Sequence, residues 1–316
     1  MIGFSRILPL FFALAFTAPA IAANSTAALQ SPGAAACAAN PWVDVRCYGA
    51  VGDGVTDDTA AINAALAAAL ASDQPLFLPH ATFRITQTLV IDYQAQASVG
   101  FRLISMGAVI DGTSVSSGPA LEILCSGGTP SSPKSCFYFN EQGTLFVNAN
   151  TNSYAAIIGA PDFSDAHNSI KIDHLIVNNA SAGPRAGGLQ LNYVLSSQIF
   201  AVGDSAGGGA GIALEQTQIS HIAGAGSASA QGGAGLLIEN GYSFANTIDA
   251  MDLEVAPTCL VIASPTAAHN TFISLYMACP TAVDATSGNT TQLVNPLFGG
   301  NVQTQFAAAV GVMTPP

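Results

Sequence analysis

The sequence predicts an all-β protein: a right-handed, single-stranded parallel β-helix with a short N-terminal capping α-helix. Three observations carry that expectation. A short apolar pattern returns about every two dozen residues, no helical periodicity separates its copies, and ions are scarce throughout. The pattern reads Gly188-Leu-Gln-Leu-Asn192, Gly211-Ile-Ala-Leu-Glu215, Gly235-Leu-Leu-Ile-Glu239 and Cys259-Leu-Val-Ile-Ala263, with a weaker copy at Thr281-Ala-Val-Asp-Ala285. A second apolar pattern runs between these copies. It is often introduced by Asn-Ser or Asn-Thr, as in Asn168-Ser-Ile-Lys-Ile172, Asn246-Thr-Ile-Asp249 and Asn270-Thr-Phe-Ile273. Each period therefore holds two or three strands of three to five residues, divided by small polar residues. Strands recurring this way suit a coil in which each stacks on its counterpart one turn later, about 4.8 Å away. Parallel crossovers are right-handed in nearly all cases, which sets the expected hand. A β-sandwich, with strands every 8–12 residues, leaves the longer recurrence unexplained.

Composition fits the coil and excludes some partners. Of 316 residues, 50% are apolar and only 8% charged, against about 25% charged in an ordinary soluble domain. The formal net charge is −12. Such a chain has no electrostatic footprint for nucleic acid or for an anionic membrane surface. An acidic polysaccharide would also be repelled unless a cation bridged it.

Residues 1–23 read as a secretory signal. Arg6 supplies the positive start, Ile7 to Phe16 the apolar stretch, and Ala20-Ile21-Ala22 the small-x-small cleavage pattern. That stretch is short of the roughly 20 residues a membrane span needs, and no later segment is long and apolar enough to span. The expected organisation is a signal over 1–23, a flexible segment over 24–40, and one β-helix domain over 41–316. The expected location is secreted or periplasmic. Six cysteines, Cys37, Cys47, Cys125, Cys136, Cys259 and Cys279, suit an oxidising compartment. Pairing them in chain order closes three short loops, one of several connectivities that six cysteines allow.

The N-terminal part carries a more specific signal. Tyr48-Gly-Ala-Val-Gly-Asp-Gly-Val-Thr-Asp-Asp-Thr59 leads into an Ala-rich stretch in which Ile62, Leu66 and Leu70 form one stripe. Asp57 or Asp58 is placed to cap that helix. The stripe would close the open end of the coil and cover strand edges that otherwise invite aggregation. Extended structure resumes at Pro75-Leu-Phe-Leu-Pro-His-Ala-Thr-Phe-Arg-Ile85. Residues 42–91 resemble the opening of the pectate-lyase-like superfamily, which includes rhamnogalacturonase- and epimerase-type proteins. The second segment departs from that family's pattern at His80-Ala81. The resemblance implies a right-handed β-helix with a capping helix, and it covers the remainder of the chain only through the coil period. Turn and cap roles account for Asp53, Asp57 and Asp58 without catalysis.

That superfamily holds glycosidases, lyases, epimerases and tail spikes, and the fold does not choose among them. The chain lacks the Gly-His-Gly and Arg-Ile-Lys of polygalacturonase-type enzymes and the Asp-Pro-His-Asp of alginate-type epimerases. Its late repeats have no basic cluster of the kind a uronate lyase uses. They do hold carboxylates in register. Glu215 and Glu239 occupy one place in consecutive repeats, after Asn192 and before Ala263. Two carboxyls that close cannot both ionise cheaply, so one should retain its proton as a general acid. Tyr193, Gln216 and Asn240 fill the next column and Tyr242 lies nearby, giving a substrate-binding set with Asn192. A second cluster is Asp249, Asp252 and Glu254. The spacing predicts that Asp249 and Asp252 face opposite sides of a strand and that Asp252 and Glu254 share one. The latter two are candidates for a calcium ion, and Asp249 and Asp252 for acid–base work. Asp173-His174 is a third candidate. The Gly207–Gly211 run lacks the residues of a phosphate loop and reads as a turn.

The expected function is a secreted carbohydrate-active protein, a polysaccharide-degrading glycosidase working through paired carboxylates. The alternatives are a non-catalytic polysaccharide-binding β-helix, a polysaccharide lyase or epimerase, and a tail-spike-like adhesin. The expected partner is a polysaccharide or oligosaccharide.

Overall fold

The computed structural model describes residues 33–228, 232–285, 291–299, 303–305 and 310–313; the expected signal segment lies outside them. The chain winds through three sheets in turn. One circuit runs through Gly187–Asn192, Val194–Leu195 and Gln198–Ser205, then returns with Ile212–Glu215 beside the starting strand. Among the described residues, the wide sheet has 16 strands, the second nine and the narrow one three. Single bridges from Leu195 to Gln218, Phe244 and Ala268 continue the narrow sheet. The named strands pair in parallel. This is the expected parallel β-helix, with the hand that parallel crossovers take.

Register follows the apolar pattern. Leu189, Ile212, Leu236, Leu260 and Val283 pair in succession on the second sheet, and all five are fully buried. Burying such a side chain is worth roughly 1.5–3 kcal/mol, and a one-residue slip would turn the column outward. The weak last copy sits one residue from its expected alignment. Thr281 pairs with Thr258, which brings Ala282 and not Thr281 beside Cys259. Earlier circuits are longer: Leu89 pairs with Leu121, Leu121 with Ala156, and Ala156 with Leu189. Strands there also exceed the expected length, Phe101–Gly112 having 12 residues and Phe139–Ala149 having 11.

The corner between the narrow and wide sheets is set by backbone conformation. Ser169, Ser196, Ile219, Ala245 and His269 all lie in the left-handed region, with φ between 51° and 56°. From Ser169 to Ala245, each donates its N–H to a carbonyl of the following coil, at Leu195, Gln218, Phe244 and Ala268. Beneath this corner runs a buried polar ladder, Ser197, Ser220, Asn246 and Asn270. Asn246 Oδ1 accepts from the Ser220 N–H at 3.0 Å. Its Nδ2 donates to the Thr217 carbonyl at 2.6 Å and to Asn270 Oδ1 at 2.9 Å. The asparagines of the two Asn-Thr pairs are rungs of this ladder, whereas Asn168 of the Asn-Ser pair lies in the narrow sheet opposite Leu195.

The capping helix spans Thr59–Ser72, with Ile62 and Leu66 buried and Leu70 packed against the same core. Its start differs in detail from a simple cap. Asp58 turns back to accept from the N–H groups of Val51 and Gly52, while Asp57 accepts from the Thr59 N–H. Asp53 closes a turn by accepting from Val55 and Thr56, at the head of a short strand, Asp53–Asp57. Within the segment expected to be flexible, Ala34–Ala39 forms a short helix, tied to the cap by Cys37–Cys47. The other bridges are Cys125–Cys136 and Cys259–Cys279, so the cysteines pair in chain order.

Two buried polar sites interrupt the apolar core. Tyr93, His167 and Asp165 are buried together; the Tyr93 hydroxyl lies 2.8 Å from His167 Nδ1, and His167 Nε2 lies 3.1 Å from Asp165 Oδ2. Burial pushes the Asp165 carboxyl up, but the His167 contact and the Cys125 and Ala160 N–H groups outweigh it and hold the carboxyl below its usual value. Glu141, 2% exposed, points inward at a bulge in the wide sheet, where its Oε2 accepts from the N–H groups of Asp173 and His174. Its Oε1 has no hydrogen-bond partner among the described residues. Burial pushes this carboxyl up to about 7, against the opposing pull of those two N–H groups.

Two predictions test this framework. Asn246→Ala should cost about 2–4 kcal/mol in denaturant unfolding, because it strips partners from buried groups, whereas exposed Asn178→Ala should stay within about 0.5 kcal/mol. Because Glu141 keeps its proton above its unfolded value, its favourable contribution is complete below about pH 4.5 and is lost as pH rises through about 7. Glu141→Gln should therefore gain stability relative to the parent protein between pH 5 and 8, by at most about 3 kcal/mol; unfolding curves at both pH values measure it.

Candidate active site

The second sheet ends at a corner where the paired carboxylates meet. Asn192 pairs with Glu215; Leu214 pairs with Ile238, and the Glu239 N–H donates to the Leu214 carbonyl at 3.2 Å. Glu239 thus follows Glu215 by one coil, about 4.8 Å along the axis. Ala263 comes next, its N–H on the Ile238 carbonyl.

The two carboxylates have different settings. Glu215 is 5% exposed; it accepts from Gln190 Nε2 and, at 3.3 Å, from Asn240 Nδ2. Glu239 is half-buried and lines a cleft of ≈ 630 Å³ with Gln190 and Asn240. Burial raises both carboxyls above the usual range, and the neighbouring Glu239 charge raises Glu215 further. The Gln190 and Asn240 amides work in the opposite direction on Glu215. The pair thus comprises two reluctant acids sharing one electrostatic field.

The longer early coils build the opposite wall. Tyr154 stands in register with Gly187, and its ring occupies the space a side chain there would need: an added Cβ would meet Tyr154 Cε1 at 2.2 Å. The Tyr154 hydroxyl accepts from the Ala210 N–H at 3.4 Å. Burial pushes the phenol up, helped by the charges of Glu239 and Glu215. Arg185 joins the wall, its N–H donating to Asn152 Oδ1 at 3.0 Å. Sequence reasoning missed Tyr154, Arg185 and Gln190. Unequal coil lengths hid their alignment, although Gln190 lies inside the first copy of the repeat.

Of the other sequence candidates, Asn192 and Asn240 lie at the same corner as the carboxylates, whereas Asp249, Asp252 and Glu254 do not. Tyr193, Gln216 and Asn240 form one left-handed corner, with φ of 50°, 49° and 42°. Tyr193 donates its N–H to the Glu215 carbonyl and Gln216 to that of Asn240. Tyr242 is 44% exposed and stacks on Phe244 at 5.2 Å. Asn192 is fully buried, its Nδ2 on the Gly159 carbonyl, so it supports the corner instead of facing a ligand.

Asp249, Asp252 and Glu254 lie on the wide sheet, away from Glu215 and Glu239. Asp252 and Glu254 share an outward face around buried Leu253, as expected. Asp249 and Asp252 do not face opposite sides. Left-handed Ala250 breaks the strand between them and resets the alternation, so Asp249 also lies outside its buried neighbour Ile248. Among the described residues, no group of three or more His, Cys, Asp and Glu side chains is arranged to hold a metal. Asp173 pairs with Lys171 at 2.7 Å, and His174 packs against Phe200. The Gly207–Gly211 run stacks tightly on the preceding turn, where a Cβ at Gly209 would meet the Ala186 carbonyl at 2.6 Å. No helix among the described residues is long and apolar enough to cross a membrane.

The Tyr154 seat gives a direct test of the cleft wall. Gly187→Ala should displace the ring and destabilise the fold by about 1–3 kcal/mol through overpacking. The readouts are the melting temperature and the near-ultraviolet circular dichroism of the tyrosines.

Known proteins resemble this chain in two ways. Residues 42–99 match the family model described as Rhamnogalacturonase A/epimerase, pectate lyase-like. Over 50 residues the chain is 40% identical to a glucan 1,3-beta-glucosidase of Cochliobolus carbonum, and over 49 residues 45% identical to a non-secreted LysM effector of Penicillium expansum. Each match covers 16% of this chain but only 6% and 4% of those relatives. Among solved structures, ORF18 of Geobacillus virus E2 superposes with a TM-score of 0.55 at 15% identity, over 84% of this chain and 59% of that one. That likeness is one of fold. Residues 42–99 thus resemble the Rhamnogalacturonase A/epimerase, pectate lyase-like family, and they head a parallel β-helix.

Proposed function

We propose that this protein is an exported carbohydrate-active protein that binds a polysaccharide in the Tyr154–Glu239 cleft and hydrolyses it through Glu215 and Glu239. The observation that carries this reading is the stacking of two carboxyls with raised proton affinity, one coil apart, beside a cleft. Their backbone spacing of about 4.8 Å suits the roughly 5–5.5 Å carboxyl separation of retaining glycosidases. One carboxyl holds its proton for the leaving oxygen while the other, ionised, attacks the sugar or stabilises its positive charge. Tyr154, Gln190, Asn240 and Arg185 offer the ring and polar groups that orient a sugar. Three disulfides fit export to an oxidising compartment. Asp252 and Glu254 supply two carboxylates toward a calcium ion whose remaining ligands would be water or ligand oxygens.

Binding without turnover is the second reading. Glu215 favours it, being buried and already held by two amides. Reducing-end release across a panel of neutral polysaccharides separates the two. Glu239→Gln and Glu215→Gln should each lower kcat/KM by about 100-fold or more while leaving glycan binding in place. Full activity in both variants overturns the paired-carboxylate mechanism. The alkaline limb of the kcat/KM profile should lie above the ordinary glutamate range, in the direction burial moves both groups.

A further inference from the structure

The three disulfides differ in what surrounds them. Cys125, Cys136, Cys259 and Cys279 lie inside the coil, each at most 3% exposed. Cys37 and Cys47 are only half-buried. They stand in the wall of an open pocket of ≈ 710 Å³ at the capped end, with Trp42, Arg46 and Tyr48. Disulfide exchange needs a thiolate to reach sulfur. Of the three bridges, Cys37–Cys47 alone offers that access in the folded protein.

The two ends of this bridge are held very differently. The helix Ala34–Ala39 has six residues, no side-chain hydrogen bond at its N-cap and no acidic residue in its first turn. Helices so short do not persist in water on their own, and Ala38 and Ala39 beside the cysteine are exposed. Cys47 lies in a firm turn, Val45–Tyr48. Asp44 caps that turn, accepting from the Arg46 N–H at 2.9 Å and from the Arg46 guanidinium at 2.6 Å. Val45 is fully buried, and the Gly49 and Ala50 N–H groups close the turn on the Arg46 and Val45 carbonyls. Opening the bridge therefore frees the short helix and leaves the turn, the capping helix and the coil in place.

We propose that Cys37–Cys47 is a thiol-exchange site that takes a low-molecular-weight thiol, of tripeptide size, in the adjoining pocket. The incoming thiolate attacks one sulfur of the bridge and the Sγ–Sγ bond breaks. A mixed disulfide forms, and the other cysteine leaves as a thiolate that takes a proton from water. A second equivalent of the small thiol resolves the mixed disulfide, leaving two cysteine thiols and the small thiol oxidised to its own disulfide. The pocket has the volume of a small-molecule site, and the rings of Trp42 and Tyr48 line it beside the exchanging sulfurs. Oxidising surroundings keep the bridge closed; thiol-rich ones release the helix. Neither Glu215 nor Glu239 takes part, so the inference stands apart from the hydrolytic reading of the cleft.

The probe is reduced glutathione, added in millimolar excess to the full folded protein at about pH 8, where a thiol is partly ionised. Free thiols are trapped with N-ethylmaleimide and located by peptide mass spectrometry. Cys37 and Cys47 should react faster than the other four cysteines by about tenfold or more, with glutathione found on one of the two. Trp42 is the only tryptophan and packs on Phe77 at 5.1 Å. Its emission should move to longer wavelength as the helix leaves and water enters, while the far-ultraviolet circular dichroism of the coil is retained. A double variant, Cys37→Ser with Cys47→Ser, should show the emission of the opened protein from the outset and take up no glutathione. Equal reaction of all six cysteines, reaction only once denaturant is added, or unchanged tryptophan emission after full opening of the bridge overturns the proposal.

Discussion

Everything in this molecule depends on each coil landing on the one before it without slipping. Apolar columns such as Leu189–Ile212–Leu236–Leu260 give the attraction, but a smooth apolar column fixes position along the strand only to within its two-residue alternation. The Ser197–Ser220–Asn246–Asn270 ladder removes that freedom. Each rung is buried and hydrogen-bonded to the next, so a shifted coil would leave buried amides and hydroxyls without partners, at about 1–3 kcal/mol each. Attraction and register thus come from different residues.

The site inherits its geometry from that register. Glu215 and Glu239 are neighbours only because two coils align, and their raised proton affinity arises from burial at the corner. Longer early coils then contribute what a regular spiral would lack. Tyr154 leans over Gly187, and Arg185 sits in the long connection after Asn179, so the cleft is walled on one side by irregularity and floored by repetition.

That division explains what could be read from the chain. The late coils repeat at nearly constant length, so Asn192, Glu215 and Glu239 fell into one column by counting. The early coils run longer, Leu121 to Ala156 and Ala156 to Leu189, and counting fails once connections vary. Tyr154, Arg185 and the inward-facing Glu141 were hidden for that reason. Counting also misplaced Asp249 relative to Asp252, since period-two alternation assumes an unbroken strand and Ala250 breaks it. The capping helix was legible from its stripe. The turning back of Asp58 onto Val51 and Gly52 was not, because it depends on a loop folding over the helix start.

The left-handed corners have a bearing on how such a surface diversifies. Tyr138, Ser169, Ser196, Ile219, Ala245 and His269 differ widely in size and polarity, yet their φ angles fall between 51° and 62°. Non-glycine residues enter this conformation at a cost of about 1–2 kcal/mol, and from Tyr138 to Ala245 the cost is offset by hydrogen bonds to the following coil that involve only main-chain atoms. Side-chain identity at these bends is therefore nearly decoupled from the trace of the chain. A lineage carrying this scaffold is free to exchange ring for hydroxyl or imidazole along an entire edge, altering what the edge recognises while the winding beneath it stays as it was.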